Sequence, residues 1–221
     1  MARVVPLWVV VAFLASVACA SLDAQIEKRH YRETNGSRVS AVEYTVNRAG
    51  GQINLRSTGG TTDDEIQWAP GTGTILWKET NGRVGTDLTG ERKGDMIHVT
   101  GRLRGKEIDK EIHVDGAPWY QIFGPIVNDL LPADAQQREF WVVNPDDLAP
   151  HKMLVRRAGA ELLAFRGSRI ETNKIHFSPA GMLAGFWGAD FWYRQQDGEW
   201  IYSRLPEDGG MTINELQEPG R

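Results

Sequence analysis

Two acidic runs, Asp63-Asp64-Glu65 and Asp146-Asp147, and two histidines, His98 and His113, are the side chains here best suited by type to chemistry. Paired carboxylates can bind Ca²⁺ or divide acid and base work across a cleft. Neither run has calcium-loop spacing, and "NPDDLAP" reads as turn chemistry, with Asp and Pro setting local bends. Both runs are therefore expected as solvated loop charges. His98 and His113 would share the wet face of a hairpin, His98 opposite Glu111 and His113 opposite Met96. A stable metal site wants three or four convergent ligands, so no metal is expected and the histidines should be exposed.

The familiar catalytic spacings are missing. No G-x-S-x-G, H-E-x-x-H, G-x-x-x-x-G-K-[ST] or G-x-G-x-x-G occurs. The single cysteine, Cys19, lies at the end of an apolar leader, so the chain beyond it has no thiol for catalysis, metal binding or a disulfide. No catalytic residue and no cofactor is singled out.

Aromatic side chains are the other chemical resource. Beyond residue 20 there are seven tryptophans, and "SPAGMLAGFWGADFWYRQQDGEW" sets Phe186, Trp187, Phe191, Trp192 and Tyr193 close together. Phe186 and Trp187 sit in a glycine-interrupted stretch, where they could anchor an apolar ligand at the mouth of a cavity. They could equally plug the end of a core, and ordinary aromatic burial favours that packing role. Trp119, Phe123, Phe186 and Trp187 are the candidate ligand-lining residues.

The elements that must hold these residues read as hairpins. "MIHVTGRL-RG-KEIDKEIHV" puts Ile97, Val99, Leu103, Ile108, Ile112 and Val114 on one dry face, with Arg102 opposite Glu107 if Arg104-Gly105 is the loop. "VEYTVNRAGGQINLRS" groups Val42, Tyr44, Val46, Ile53 and Leu55, although parity alone cannot separate a two-residue from a four-residue loop. "FWYRQQ-DG-EWIYSRL" predicts Tyr193 opposite Tyr202 and Phe191 opposite Arg204, with Phe191, Tyr193, Trp200 and Tyr202 on one face. Further turns are expected at Asn35-Gly36, Asn81-Gly82, Ala158-Gly159 and Gly167-Ser168.

A mainly β fold follows: an antiparallel up-and-down meander of a dozen or so strands, curled into a barrel or half-barrel. A two-sheet β-sandwich is the alternative. One segment departs from this pattern. "APWYQIFGPIVNDLLPADAQ" spaces Trp119, Ile122, Phe123, Ile126, Val127 and Leu130 as an amphipathic helix, near 118–131, that would cover the sheet. Gly124-Pro125 should kink or split it. The strands then fall into two halves, 30–115 and 138–216, of a single β-rich domain over 21–221.

Residues 1–20 read as a signal peptide, with Arg3, an apolar run too short to span a bilayer, and Ala18-Cys19-Ala20 before Ser21. Periplasmic or secreted localisation follows; the rival is a lipoprotein anchored to the membrane through Cys19. Without the leader the formal charge is −5, from 24 basic and 29 acidic residues, which argues against nucleic acid as a partner.

The run "GFWGADFWYRQQDGEWIYSRL" leading to "TINEL", with "GKEI" and "PWYQ" before it, resembles the C-terminal half of an uncharacterised class of exported bacterial proteins, a domain of unknown function. The resemblance is carried mainly by residues 180–216. It implies an envelope-facing, β-rich half-barrel akin in shape to periplasmic lipoprotein carriers, and it assigns no catalytic residue. The expectation is a non-catalytic binding or carrier module for an apolar or amphiphilic ligand such as a lipid. A structural or assembly protein of the envelope is the alternative, and a hydrolase with paired carboxylates comes third.

Overall fold

The computed structural model describes residues 25–59, 62–69, 71–121, 124–181, 187–207 and 210–217. Eight strands come first: β1 (Gln25–Asn35), β2 (Arg38–Ala49), β3 (Gln52–Thr58), β4 (Asp63–Ala69), β5 (Gly73–Asn81), β6 (Thr86–Lys93), β7 (Met96–Leu103) and β8 (Lys106–His113). A single helical turn, α1 (Val127–Leu130), precedes β9 (Gln137–Val143), β10 (Pro150–Phe165), β11 (Ser168–Pro179), β12 (Ala189–Arg194), β13 (Trp200–Glu207) and β14 (Gly210–Gln217). All fourteen strands join one antiparallel sheet in the order β8-β7-β6-β5-β4-β3-β2-β1-β14-β13-β12-β11-β10-β9. Two meanders, β1–β8 and β9–β14, are thus sewn together by the pairing of β1 with β14, which sets Glu33 opposite Asn214.

The hairpin registers follow from their turns. Arg104-Gly105 and Gly50-Gly51 adopt positive φ at both positions (52° and 77°; 59° and 75°), the backbone that a two-residue hairpin loop with native twist requires. Arg102 accordingly faces Glu107, and Ala49 faces Gln52, so the glycine pair forms a two-residue loop. Ile97, Val99, Ile112 and Val114 are buried, with Leu103 and Ile108 packed against them.

Two hairpin expectations are corrected. Ala158-Gly159 is not a turn: β10 runs straight through it, with a bulge between Arg157 and Gly159. The bulge absorbs one extra residue without ending the pairing to β11. Between β12 and β13 the Asp197 carboxylate grips the Arg194 guanidinium and accepts the Glu199 amide, which makes a wider loop than Asp-Gly alone. A register shift follows, so Phe191 faces Ser203, Trp192 faces Tyr202 and Tyr193 faces Trp200. Tyr202 therefore leaves the core row and lies beside Trp192, ring centroids 5.2 Å apart.

The expected helix is reduced to α1. Residues 118–121 are extended and lie between β5 and β9, making one parallel bridge to each through Trp119. The Thr74 amide donates to the Trp119 carbonyl (2.6 Å), the Trp141 amide to Pro118 (2.7 Å) and the Tyr120 amide to Trp141 (2.9 Å). The sheet itself stays open, with β8 and β9 as its edges, and this short strap gives it a barrel-like form. The helical spacing of the apolar residues is overridden because the strap's backbone groups are satisfied by two strands. Gly124 then turns the chain at φ +81° ahead of Pro125.

The inner face is aromatic. Tyr44, Tyr31, Trp200, Phe191, Phe177, Phe140, Tyr120 and Trp68 form a continuous run of ring contacts, with neighbouring centroids 4.2 to 6.2 Å apart. Trp119 packs edge-on against Trp77 over Gly90, where a Cβ would meet the Trp77 ring at 3.0 Å.

Antiparallel connectivity gives the barrel two ends. The turns at 50–51, 94–95, 166–167 and 195–199 lie at the lower end with α1, tied there by Arg48 to Asp129 (3.0 Å) and by the Tyr193 hydroxyl to the Gly124 carbonyl (2.5 Å). The turns at 36–37, 82–85, 104–105 and 144–149 lie at the upper end, as do the end of β11 and the start of β12.

Candidate binding site

The upper half of the inner face carries polar side chains. Strand alternation puts Glu79 on the side of Trp77, Asp64 with Ile66, Ser57 with Leu55, and Asn214 with Leu216. The registers align them across the sheet: Leu88 opposite Glu79, Glu79 opposite Asp64, Asp64 opposite Ser57, Ser57 opposite Tyr44 and Tyr44 opposite Arg29. A second row continues it around the seam, with Ser40 opposite Glu33, Glu33 opposite Asn214 and Asn214 opposite Ser203. Glu79 is 8 % exposed and Asn214 5 %, while Ser57 and Ser203 are also buried.

This band is rich in acceptors and poor in cations. Burial, reinforced by the charges of Asp64 and Asp146, pushes the Glu79 carboxyl up to about 8. Burial also raises Asp64, to about 6, against a long hydrogen bond of 3.5 Å from Trp77 Nε1 and with help from Asp63. Burial raises the Tyr44 hydroxyl as well, with Glu33 and Asp64 adding to the effect and a hydrogen bond from Ser57 opposing it. Among the described residues no basic side chain stands beside Asp64 or Glu79. The amide oxygens of Asn81 and Asn214 are buried without a hydrogen-bond partner, although each side-chain NH₂ donates, to Thr62 and Ser203 respectively. At the far end of the row Arg29 is paired with Glu199 (2.8 Å), beside a groove of about 170 Å³ that reaches Tyr44 and Trp200.

Chemically, a carboxyl that titrates near 8 is mostly protonated at neutral pH and donates a hydrogen bond. It becomes a carboxylate acceptor once a cation arrives to stabilise its charge. The pair can bind a polar group or trade a proton with it. Asp63-Asp64-Glu65 was expected in a solvated loop; it lies in β4, and Asp64 is turned inward. Asp146-Asp147 does form a turn, with Asn144 and Asp147 side chains accepting the amides of Asp146 and Ala149. Glu79 escaped the reading of the sequence altogether. Its signal was parity: in "TILWKETN" it falls two residues beyond Trp77, on the buried side.

The four aromatic candidates are dispersed. Trp119 is fully buried in the strap, its Nε1 donating to Gln121 Oε1 (2.8 Å). Trp187 is half-buried at the upper end, its Nε1 donating to the Pro206 carbonyl (2.8 Å). The two stand on different walls, one against β5 and the other against β13. Phe123 and Phe186 lie outside the described residues. His98 stands opposite Glu111, as expected, and its Nε2 lies 2.6 Å from the carboxylate of Asp109. Elsewhere His176 and Lys174 both hold Asp190 (2.7 and 2.9 Å). No group of three or more metal-ligating side chains occurs among the described residues.

No family model and no curated protein matches the chain. Among solved structures, the crystal structure of a beta-barrel-like protein of domain of unknown function DUF1849 from Brucella abortus is similar over 87 % of this chain and 96 % of that one, at 8 % identity and a TM-score of 0.56. A LolA superfamily protein from Nitrosomonas europaea aligns over 88 % of this chain and 84 % of that one, at 8 % identity and a TM-score of only 0.30. The Brucella likeness is one of fold alone, and it agrees with the barrel-like form that the resemblance to a domain of unknown function implied: by architecture this chain is an open, barrel-like antiparallel sheet of that kind.

Proposed function

We propose that the protein is an exported, non-catalytic binding or carrier module for an amphiphilic ligand, held at the upper end of the barrel. The observation that supports this reading is the polar band of Glu79, Asp64, Ser57, Tyr44 and Asn214 set in an inner face that is otherwise apolar and rich in aromatic rings. Such a surface matches a molecule with a polar head and an apolar body. Trp187, half-buried at the upper end, would meet the apolar part. The leader sequence supports a periplasmic or secreted location, or a membrane-anchored one if Cys19 carries a lipid. The edges speak against assembly by strand addition: β8 is lined with Lys106, Glu107, Asp109, Lys110 and Glu111, and the strap pairs with β9.

Native mass spectrometry of residues 21–221, purified from the producing cell's periplasm, tests the reading. A reproducible extra mass, lost on denaturation and extractable into organic solvent, is the expected result. Trp187→Ala should reduce its occupancy. A bare mass from both preparations would count against a carrier and return weight to a structural role.

A further inference from the structure

Resting on that binding role, we infer that the polar end of the barrel takes a cationic head: the ligand is an ammonium group carried on an apolar chain. Two carboxyls, Asp64 and Glu79, stand directly opposite each other across β4 and β5, an arrangement that destabilises a sheet when both are charged. No cation among the described residues relieves it. Independently of these acids, the buried amide oxygens of Asn81 and Asn214 have no donor, and an unmade hydrogen bond of this kind costs about 1 to 3 kcal/mol. Both of these amide groups lack a donor, not an acceptor. A donor-rich cation between Asp64 and Glu79, on the strand face that also carries Asn81, supplies the donors these groups lack, whereas an anionic head would be repelled by each carboxyl that is charged.

The groups that surround Glu79 determine how such binding depends on pH. Asp64 faces it from β4 with Asp63 behind, β6 offers only Leu88, and Asp146 approaches from the 144–149 turn while paired with Arg104 (2.6 Å). Tyr44 and Glu33 complete the band from β2 and β1. The arginines at the groove, Arg29 and Arg48, are ion-paired to Glu199 and Asp129. An entering ammonium favours the carboxylate form, so binding releases protons and tightens as pH rises through the range where Asp64 and Glu79 titrate, about 6 to about 8.

Calorimetric titration with single-chain probes below their micelle concentrations tests this: dodecylammonium, dodecanoate, dodecyl maltoside and butylammonium, at about pH 5.5 and about pH 8.5. Dodecylammonium is expected to bind about tenfold or more tighter than dodecyl maltoside at the higher pH. The advantage should shrink at the lower pH and fall in both Glu79→Gln and Asp64→Asn. Dodecyl maltoside or dodecanoate binding as tightly as dodecylammonium would overturn the cationic head while leaving the binding role intact. So would an ammonium advantage untouched by pH and by both substitutions. Butylammonium binding as well as dodecylammonium would overturn the apolar chain, and failure of every dodecyl probe to bind would remove the binding role itself.

Discussion

At Glu79 the fold keeps a carboxyl that would be charged in an unfolded chain at neutral pH. Its ordinary value of 4.5 is raised to about 8, mainly by burial. Between those values the folded state holds more protons than the unfolded state, so stability must fall as pH rises and level off only above about 8. Asp64, raised to about 6, acts in the same direction over a narrower window. A tenfold change in proton affinity corresponds to about 1.4 kcal/mol, which makes the Glu79 effect a few kcal/mol at most. Glu79→Gln keeps the shape and removes the titration. It should match the parent near about pH 4.5 and exceed it by about 2 kcal/mol near about pH 8.5 in urea unfolding. Parent stability that is flat or rising across that interval would refute the assignment. The position was legible in principle, because strand parity from Trp77 marks Glu79 as inward. It was passed over because acidic side chains are usually solvated, and composition gave no reason to suspect this one.

Among the elements, the strap at 118–121 departs most from its sequence. Its apolar residues recur at helical spacing, yet it lies extended because Gly73-Thr74 and Trp141 offer it backbone partners from distant parts of the chain. Local pattern cannot announce partners of that kind. The Arg104-Gly105 hairpin, in contrast, was readable to the residue, since that turn fixes register by itself, whereas at Gly50-Gly51 parity gave the buried face but not the loop length. Gly73 tests what the strap contributes. It has φ +87°, and a Cβ there would stand 2.2 Å from the Trp119 carbonyl oxygen. Gly71 has nearly the same φ, +81°, with nothing within 4 Å. Gly71→Ala should therefore cost only the backbone term, about 1 kcal/mol. Gly73→Ala should cost about 3 kcal/mol, because the strap must also withdraw from β5. Equal losses in thermal unfolding would mean that the strap adds nothing to closure.

Across the whole molecule, the two meanders share one core. Among the described residues the ladder between them is β1 with β14, but the packing crosses it freely. Tyr31 of β1 stacks on Trp200 of β13 at 4.2 Å and donates its hydroxyl to the Trp200 carbonyl (2.8 Å), while Trp77 of β5 packs on the strap that leads into β9. The candidate site is divided in the same way, with Asp64 and Glu79 from the first meander and Asn214 and Ser203 from the second. The seam was the least legible feature of the sequence, since its partners lie at opposite ends of the chain and no turn connects them. Residues 21–221 should accordingly unfold as one cooperative domain. Tryptophan fluorescence and far-ultraviolet circular dichroism should give superimposable urea transitions, and residues 21–116 expressed alone should show no cooperative transition. Their inner face would be missing Tyr120, Phe140 and Trp200, the rings that cover it in the intact protein. Two separated transitions, together with a cooperative fragment, would instead divide the chain into independent halves, and a ligand site built across the seam would then have no rigid frame.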